Sequence, residues 1–194
     1  MLTLIFPIAG YVSGSLPFAL WITYWVKGLD VRETGSGHAS TTNTIRIVGW
    51  GWGIIVFILD VGKGFLPTYL AILYKQPSWI IALTAALAVA GHCWPIFAQF
   101  RGGMGLATTG GAFLAVSPLG FLIGVAVLLT FVLTLHHAAR GSLLSGLLIP
   151  PVLWVLGQSG DILWVAAATG IIIALRFTVD WNREYRELWL DREK

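Results

Sequence analysis

Charge is scarce in this sequence. Lys, Arg, Asp and Glu make up 11% of its 194 residues, against about 25% in a typical soluble chain, and that scarcity argues against an ordinary soluble domain. A single cysteine, Cys93, excludes an internal disulfide. There is no Gly-x-Ser-x-Gly elbow, and nothing sets up a Ser, His and Asp relay, so covalent catalysis is not indicated. Cys, His and carboxylates nowhere fall at metal-ligand spacing. Neighbouring His136 and His137 point in different directions on a helix, so neither a metal nor a cofactor is expected. The first six residues carry no basic cluster, and the apolar run they open continues to Val26, which reads as a retained helix and not a cleaved leader.

What the sequence has is apolar length. Hydrophobic residues account for 57% and the mean hydropathy is +0.81. Several stretches approach the roughly 20 residues needed to cross a bilayer core of about 30 Å. The pattern predicts an all-α polytopic membrane protein, one integral membrane domain over 1–194, with transmembrane helices at 2–26, 47–74, 78–97, 106–117, 119–135, 142–158 and 162–177. The fourth is short: about twelve residues rise only about 18 Å, which suits a re-entrant hairpin as well as a crossing. Seven crossings are preferred because they keep the basic residues together. Lys27, Arg32, Arg46, Arg101, Arg140, Arg176, Arg183, Arg186, Arg192 and Lys194 then share one side, Lys75 lies on the other, and Lys63 lies inside the second helix. The positive-inside rule makes that side cytoplasmic, with the N-terminus outside.

The net charge of +3 needs no nucleic-acid partner, because basic residues flanking helices already follow from topology. Membrane lipids are the expected surroundings. Trp25, Trp50, Trp52, Trp79, Trp94 and Trp181 fall near helix ends, as an interfacial belt would. Small residues such as Gly10 and Gly14 suit close helix packing in lipid. The tail over 180–194 mixes both charge signs with Trp181, Tyr185, Leu188, Trp189 and Leu190, as a surface amphipathic helix would.

Three polar, glycine-bearing stretches, 35–46, 91–108 and 136–142, fall on or near the same side in this threading. In the first, Gly35 and Gly37 free backbone amides to turn, Ser36, Ser40, Thr41, Thr42 and Asn43 add short polar groups, and Arg46 adds fixed charge. Such a loop feeding a helix is a phosphate or carboxylate cradle. It is equally a polar loop capping the second helix through Thr42 or Asn43. The second stretch holds Gly102, Gly103 and Gly105 beside Arg101 and opens the next helix, repeating that design. His92 there suits proton transfer or a hydrogen bond to backbone. Asp60 and Lys63, three residues apart, share a helix face and are expected to form an ion pair, since either charge alone is costly in lipid.

These motifs resemble those of the bacterial acyl-phosphate:glycerol-3-phosphate acyltransferases, small integral membrane enzymes. The match runs through 14–19, 35–46, 59–64, 91–97 and 100–108. The resemblance implies transfer of a fatty acyl group from acyl phosphate to glycerol 3-phosphate, giving lysophosphatidate and phosphate in phospholipid biosynthesis, in the bacterial inner membrane and without a cofactor. An acyl phosphate is already activated, so the protein need only hold two anions together and align the hydroxyl. By the same resemblance His92, Ser36 and Asn43 serve catalysis, and Arg46, Arg101, Gly102, Gly103, Gly105 and Ser142, the retained end of a further motif, bind substrate phosphate.

The chain departs from the family pattern at several points. Met104 stands where the family has a second Lys, His38 replaces an Asn, Ser40 replaces a Gly, and Phe177 and Asp180 stand where the family places a His and an Asn. Two other classes therefore stay open. One is a catalytically impaired homologue acting as a structural or lipid-binding subunit with membrane-protein complex partners. The other is a transporter using Asp60 and Lys63, although no inverted repeat is visible.

Overall fold

The computed structural model describes residues 2–182. The described residues are predominantly helical, with no strand among them. The helices are α1 (Ile5–Gly14), α2 (Phe18–Lys27), α3 (Thr41–Val48), α4 (Trp50–Leu73), α5 (Ser78–Cys93), α6 (Leu106–Val116), α7 (Pro118–Leu135), α8 (Ala138–Val155) and α9 (Asp161–Thr178). Six spans are long and apolar enough to cross a membrane: Ile5–Lys27, Trp50–Leu73, Ser78–Ala98, Pro118–Leu135, Ala138–Val155 and Asp161–Thr178. The shorter apolar helix is α6. The surface tail expected beyond Asn182 lies outside the described residues.

Each predicted segment has its helix, but three boundaries differ for local reasons. The first segment breaks at Ser15 to Pro17, since Pro17 has no N–H for a continuous ladder and disfavours helix in the residue before it. The second does not begin at 47. Gly49, at φ +92°, separates the short α3 from α4. Neither Thr42 nor Asn43 caps α3: the Ser40 hydroxyl accepts the Asn43 amide at 3.3 Å. The sixth segment starts at Ala138 and not at 142, because the His137 side chain accepts the Arg140 amide at 3.4 Å and caps the helix earlier.

Glycine lets the helices touch backbone to backbone. A Cβ on Gly14 of α1 would overlap the Ala88 carbonyl of α5, and a Cβ on Gly111 of α6 would overlap the Val61 carbonyl of α4. Gly146 and Gly170 meet in the same way between α8 and α9. Such contacts supply the close van der Waals packing that joins helices where lipid removes the hydrophobic drive. The exposed Leu122, Leu129 and Leu133 of α7 face outward, consistent with a lipid-facing helix. Trp25, Trp50 and Trp79 are exposed near helix ends, while Trp94 differs from the expected belt and packs against the buried cluster of Val89, Cys93 and Phe177.

Connectivity settles the short helix. Gly103 is tied to Arg176 near the end of α9, whereas Gly120, after α6, packs on Ile162 at the start of α9. Helix α6 thus runs from the loop end of the bundle to the opposite end, and α7 returns. Its length, about 16 Å at 1.5 Å per residue, suffices because the loop leading into it is sunk into the bundle: Gly102, Gly103 and Gly105 are buried.

Candidate functional site

The loop over 28–40 and the loop over 94–105 meet at one end of the bundle. Arg32 Nη1 donates to the Ala98 carbonyl at 2.8 Å, and the Ala39 amide donates to the Gly102 carbonyl at 3.4 Å. At the rim Arg101 pairs with Glu33 at 2.8 Å. Helix α9 joins through Arg176 Nε, which donates to the Gly103 carbonyl at 3.0 Å. The turn after α9 joins through Asp180, whose carboxylate lies 2.8 Å from His38 Nε2.

Asn43 organises the first loop. Its side chain is fully buried. Nδ2 donates to the carbonyls of Val31 at 2.8 Å, Thr34 at 3.0 Å and His38 at 3.1 Å, while Oδ1 accepts the Ser36 amide at 3.0 Å. Four bonds from one amide convert a flexible segment into a fixed wall. Asp30 and Arg32 brace the start of that loop with a 2.6 Å ion pair. The Arg32 guanidinium holds the Asp30 carboxyl below the usual carboxylate range, and Asp30 raises Arg32 in turn.

Below the loops lies the expected pair. Asp60 and Lys63 are buried and 2.8 Å apart. Lys63 Nζ also donates to the Leu16 carbonyl at 3.1 Å, at the break between α1 and α2. His92 Nδ1 stands 3.6 Å from Asp60 Oδ1, close enough for charge interaction and too far for a hydrogen bond.

Between loops and pair opens a cavity of about 920 Å³, counting its open mouth. Ser36, His38, Ser40, Thr41, Thr42 and Arg46 form a polar wall. Phe57, Met104, Leu106, Ala107 and Phe177 form an apolar one, and Asp60, His92, Gly105, Ala138 and Ser142 complete the lining. Arg46 Nη2 and Thr41 Oγ1 are buried with no hydrogen-bond partner among the described residues. Buried donors are normally satisfied, and a cation without one is expensive. An anion in the cavity would satisfy both.

Of the residues singled out from sequence, Ser36, Arg46, His92, Gly105 and Ser142 come together on this cavity. Ser40, Thr41, Thr42, Asp60 and Met104 join them there, whereas Asn43, Arg101, Gly102 and Gly103 do not line it. Asn43 spends its side chain inside the loop, and Arg101 is about half exposed beside Glu33. Gly102 and Gly103 lie behind the wall, where a Cβ would overlap the His92 carbonyl and the His92 ring. Sequence reasoning missed the link between His38 and Asp180 and the tie from Arg176. Their separations of 142 and 73 residues leave no spacing signal.

Helices that bury an ion pair, face lipid with leucine and open an anion-suited cavity at one end define a multi-pass membrane protein with a polar binding site. A sequence profile of the glycerol-3-phosphate acyltransferase family matches residues 4–187. Glycerol-3-phosphate acyltransferase 2 of Thermotoga maritima is 43% identical over 142 residues, covering 73% of this chain and 72% of the relative. The Aquifex aeolicus glycerol-3-phosphate acyltransferase is 34% identical over 184 residues, covering 94% and 95%. The crystal structure of PlsY (YgiH), an integral membrane glycerol 3-phosphate acyltransferase, in its glycerol 3-phosphate form superimposes with a TM-score of 0.82 at 34% identity, covering 94% of this chain and 92% of that one. Its lysophosphatidic acid form gives a TM-score of 0.81. The chain belongs to the glycerol-3-phosphate acyltransferase family and is a multi-pass protein of the bacterial cell membrane.

Proposed function

We propose that this protein transfers a fatty acyl group from acyl phosphate to glycerol 3-phosphate, releasing phosphate and forming lysophosphatidate. The observation that carries the reading is the cavity wall itself: a buried arginine nitrogen and a buried threonine hydroxyl, both without a hydrogen-bond partner among the described residues, beside Ser36 and the rigid loop that Asn43 holds. Arg46, Ser36 and Thr41 bind substrate phosphate. Ser142 and the turn at Gly105 border the opposite side, where the acyl phosphate group lies with its chain toward the apolar wall. His92, set by Asp60, organises the floor.

No protein nucleophile is needed for this reaction. The donor is a mixed anhydride, and the protein contributes alignment of the hydroxyl and neutralisation of charge on the departing phosphate. The mouth faces the cytoplasm in this reading. Lys27, Arg32, Arg46, Arg101, Arg140 and Arg176 gather toward that end and Lys75 lies at the other, which the positive-inside rule favours.

The test uses purified protein in detergent with palmitoyl phosphate and glycerol 3-phosphate. Lysophosphatidate, followed by mass spectrometry, should accumulate with equimolar phosphate. Product no faster than in an Arg46→Ala control would overturn the reading.

A further inference from the structure

We propose that two interlocked rings, Phe113 of α6 and Phe121 of α7, form the floor of a groove for the acyl chain and set the length of chain the protein transfers. This rests on the acyl-transfer reading above and deepens it. A second cavity, about 500 Å³ counting its open side, lies between α6, α7, α8 and α9. It shares Leu106 and Ser142 with the anion-suited cavity, so the two adjoin. A donor whose phosphate lies in the first has an apolar space beside it for its tail.

The polarity of the lining fits that occupant. Thr109 Oγ1, about one turn inside the shared mouth, is buried with no hydrogen-bond partner among the described residues. It is a donor placed where the carbonyl end of a chain would enter. Ser145 and Thr169 instead turn their hydroxyls to carbonyls of their own helices, Gly141 at 2.6 Å and Val165 at 2.8 Å. Beyond them the lining is glycine, alanine and larger apolar side chains. From Leu106 to Phe113 the groove is about two helical turns deep, roughly 10 Å at 1.5 Å per residue.

The corner between α6 and α7 fixes the floor. The Ser117 amide donates to the Phe113 carbonyl at 2.8 Å, and the Phe121 amide donates to the Ser117 carbonyl at 2.9 Å. The Ser117 hydroxyl accepts the Gly120 amide at 2.9 Å. Each phenylalanine thus stands about one turn from the corner, and each ring crosses to a glycine of the other helix. A Cβ on Gly124 would lie 3.1 Å from the Phe113 ring, and one on Gly110 would lie 3.2 Å from the Phe121 ring. Rings packed this closely do not make room for added methylenes without strain. A chain too long for the groove therefore pushes its carbonyl out of line with the attacking hydroxyl, and alignment is what this reaction needs from the protein.

The test is a competition. Full-length protein in detergent receives glycerol 3-phosphate and an equimolar mixture of lauroyl, myristoyl, palmitoyl, stearoyl and arachidoyl phosphates, and the lysophosphatidates are resolved by mass spectrometry. Product ratios within one preparation report relative kcat/KM and do not depend on how much of a variant is folded. The wild type should show a sharp fall above one chain length. Phe121→Ala should raise the next longer product relative to the wild-type optimum by about tenfold or more, the discrimination that a methylene in an apolar pocket supports. Val125→Phe, which adds bulk about one turn nearer the mouth on α7, should shift the preference to shorter chains. A flat wild-type profile, or the same product ratios in all three proteins, would overturn the proposal while leaving the acyl-transfer reading intact. A wild-type protein that makes no lysophosphatidate from any chain would overturn both.

Discussion

Lys63 and Asp60 stand 2.8 Å apart inside the bundle, and the lysine reaches on to the Leu16 carbonyl at the break in the first span. One ammonium thus joins α4 to the first transmembrane segment and neutralises the carboxylate that faces His92. Removing it leaves a buried, uncompensated charge. Lys63→Met should therefore cost about 3–5 kcal/mol, the range for breaking a buried pair from one side. A thermal unfolding series in detergent checks this, and an unchanged melting temperature would show that the pair does not hold the helices.

Asn43 is expected to act through the loop and not through the substrate. Asn43→Ala removes four hydrogen bonds and leaves the Val31, Thr34 and His38 carbonyls and the Ser36 amide without that partner. At about 1 kcal/mol or more for each buried group left unmade, the loop should loosen. Limited proteolysis across 28–40 should then speed up, with KM for glycerol 3-phosphate rising before kcat falls. A variant with native protease resistance and a reduced kcat would instead give Asn43 a direct catalytic part.

Met104 sits on the apolar wall beside Phe177. Met104→Lys would place a second fixed cation on the cavity. A charge-assisted contact to phosphate contributes about 1.5–3 kcal/mol, so KM for a phosphate-bearing substrate should fall by about tenfold or more. A KM that stays constant or rises would put substrate phosphate away from this wall.

The brace between Asp30 and Arg32 carries a pH dependence. Arg32 lowers the Asp30 carboxyl in the folded protein, so the folded state binds that proton less readily than the unfolded state does. The stabilisation is fully present above the ordinary aspartate range and is lost as pH falls through the lowered folded value. Thermal stability should decline on acidification below that range, and part of the decline should disappear in Asp30→Asn. Equal acid sensitivity in both proteins would assign the effect to other carboxylates.

The helical framework was legible in the sequence because bilayer thickness dictates run length, and the pairing of Asp60 with Lys63 was legible because three residues make nearly one helical turn. The convergence of the two glycine-bearing loops followed from counting crossings. The breaks at Ser15 to Pro17 and at Gly49 were hidden, since Gly and Pro also occur within uninterrupted membrane helices. The cap of α3 was misread because Ser40, Thr41, Thr42 and Asn43 are all near the helix start, and several of them are competent caps. Gly102 and Gly103 illustrate a deeper ambiguity. A missing side chain serves a ligand cradle and a tight backbone contact equally, and here it admits the His92 ring and carbonyl.

Two arginines separate the cavity from the surface. Arg46 lines the cavity with a buried nitrogen that has no hydrogen-bond partner among the described residues, whereas Arg101 meets Glu33 in an exposed rim pair. Calorimetric titration of glycerol 3-phosphate onto the detergent-solubilised protein tests the account most directly. Arg46→Gln should weaken binding by roughly 10- to 150-fold, the equivalent of about 1.5–3 kcal/mol. Arg101→Ala should change it by only a few-fold at most, as an exposed pair contributes about 0–1 kcal/mol. Equal affinity in the wild type and Arg46→Gln would contradict the claim that this cavity is where the anionic substrate binds.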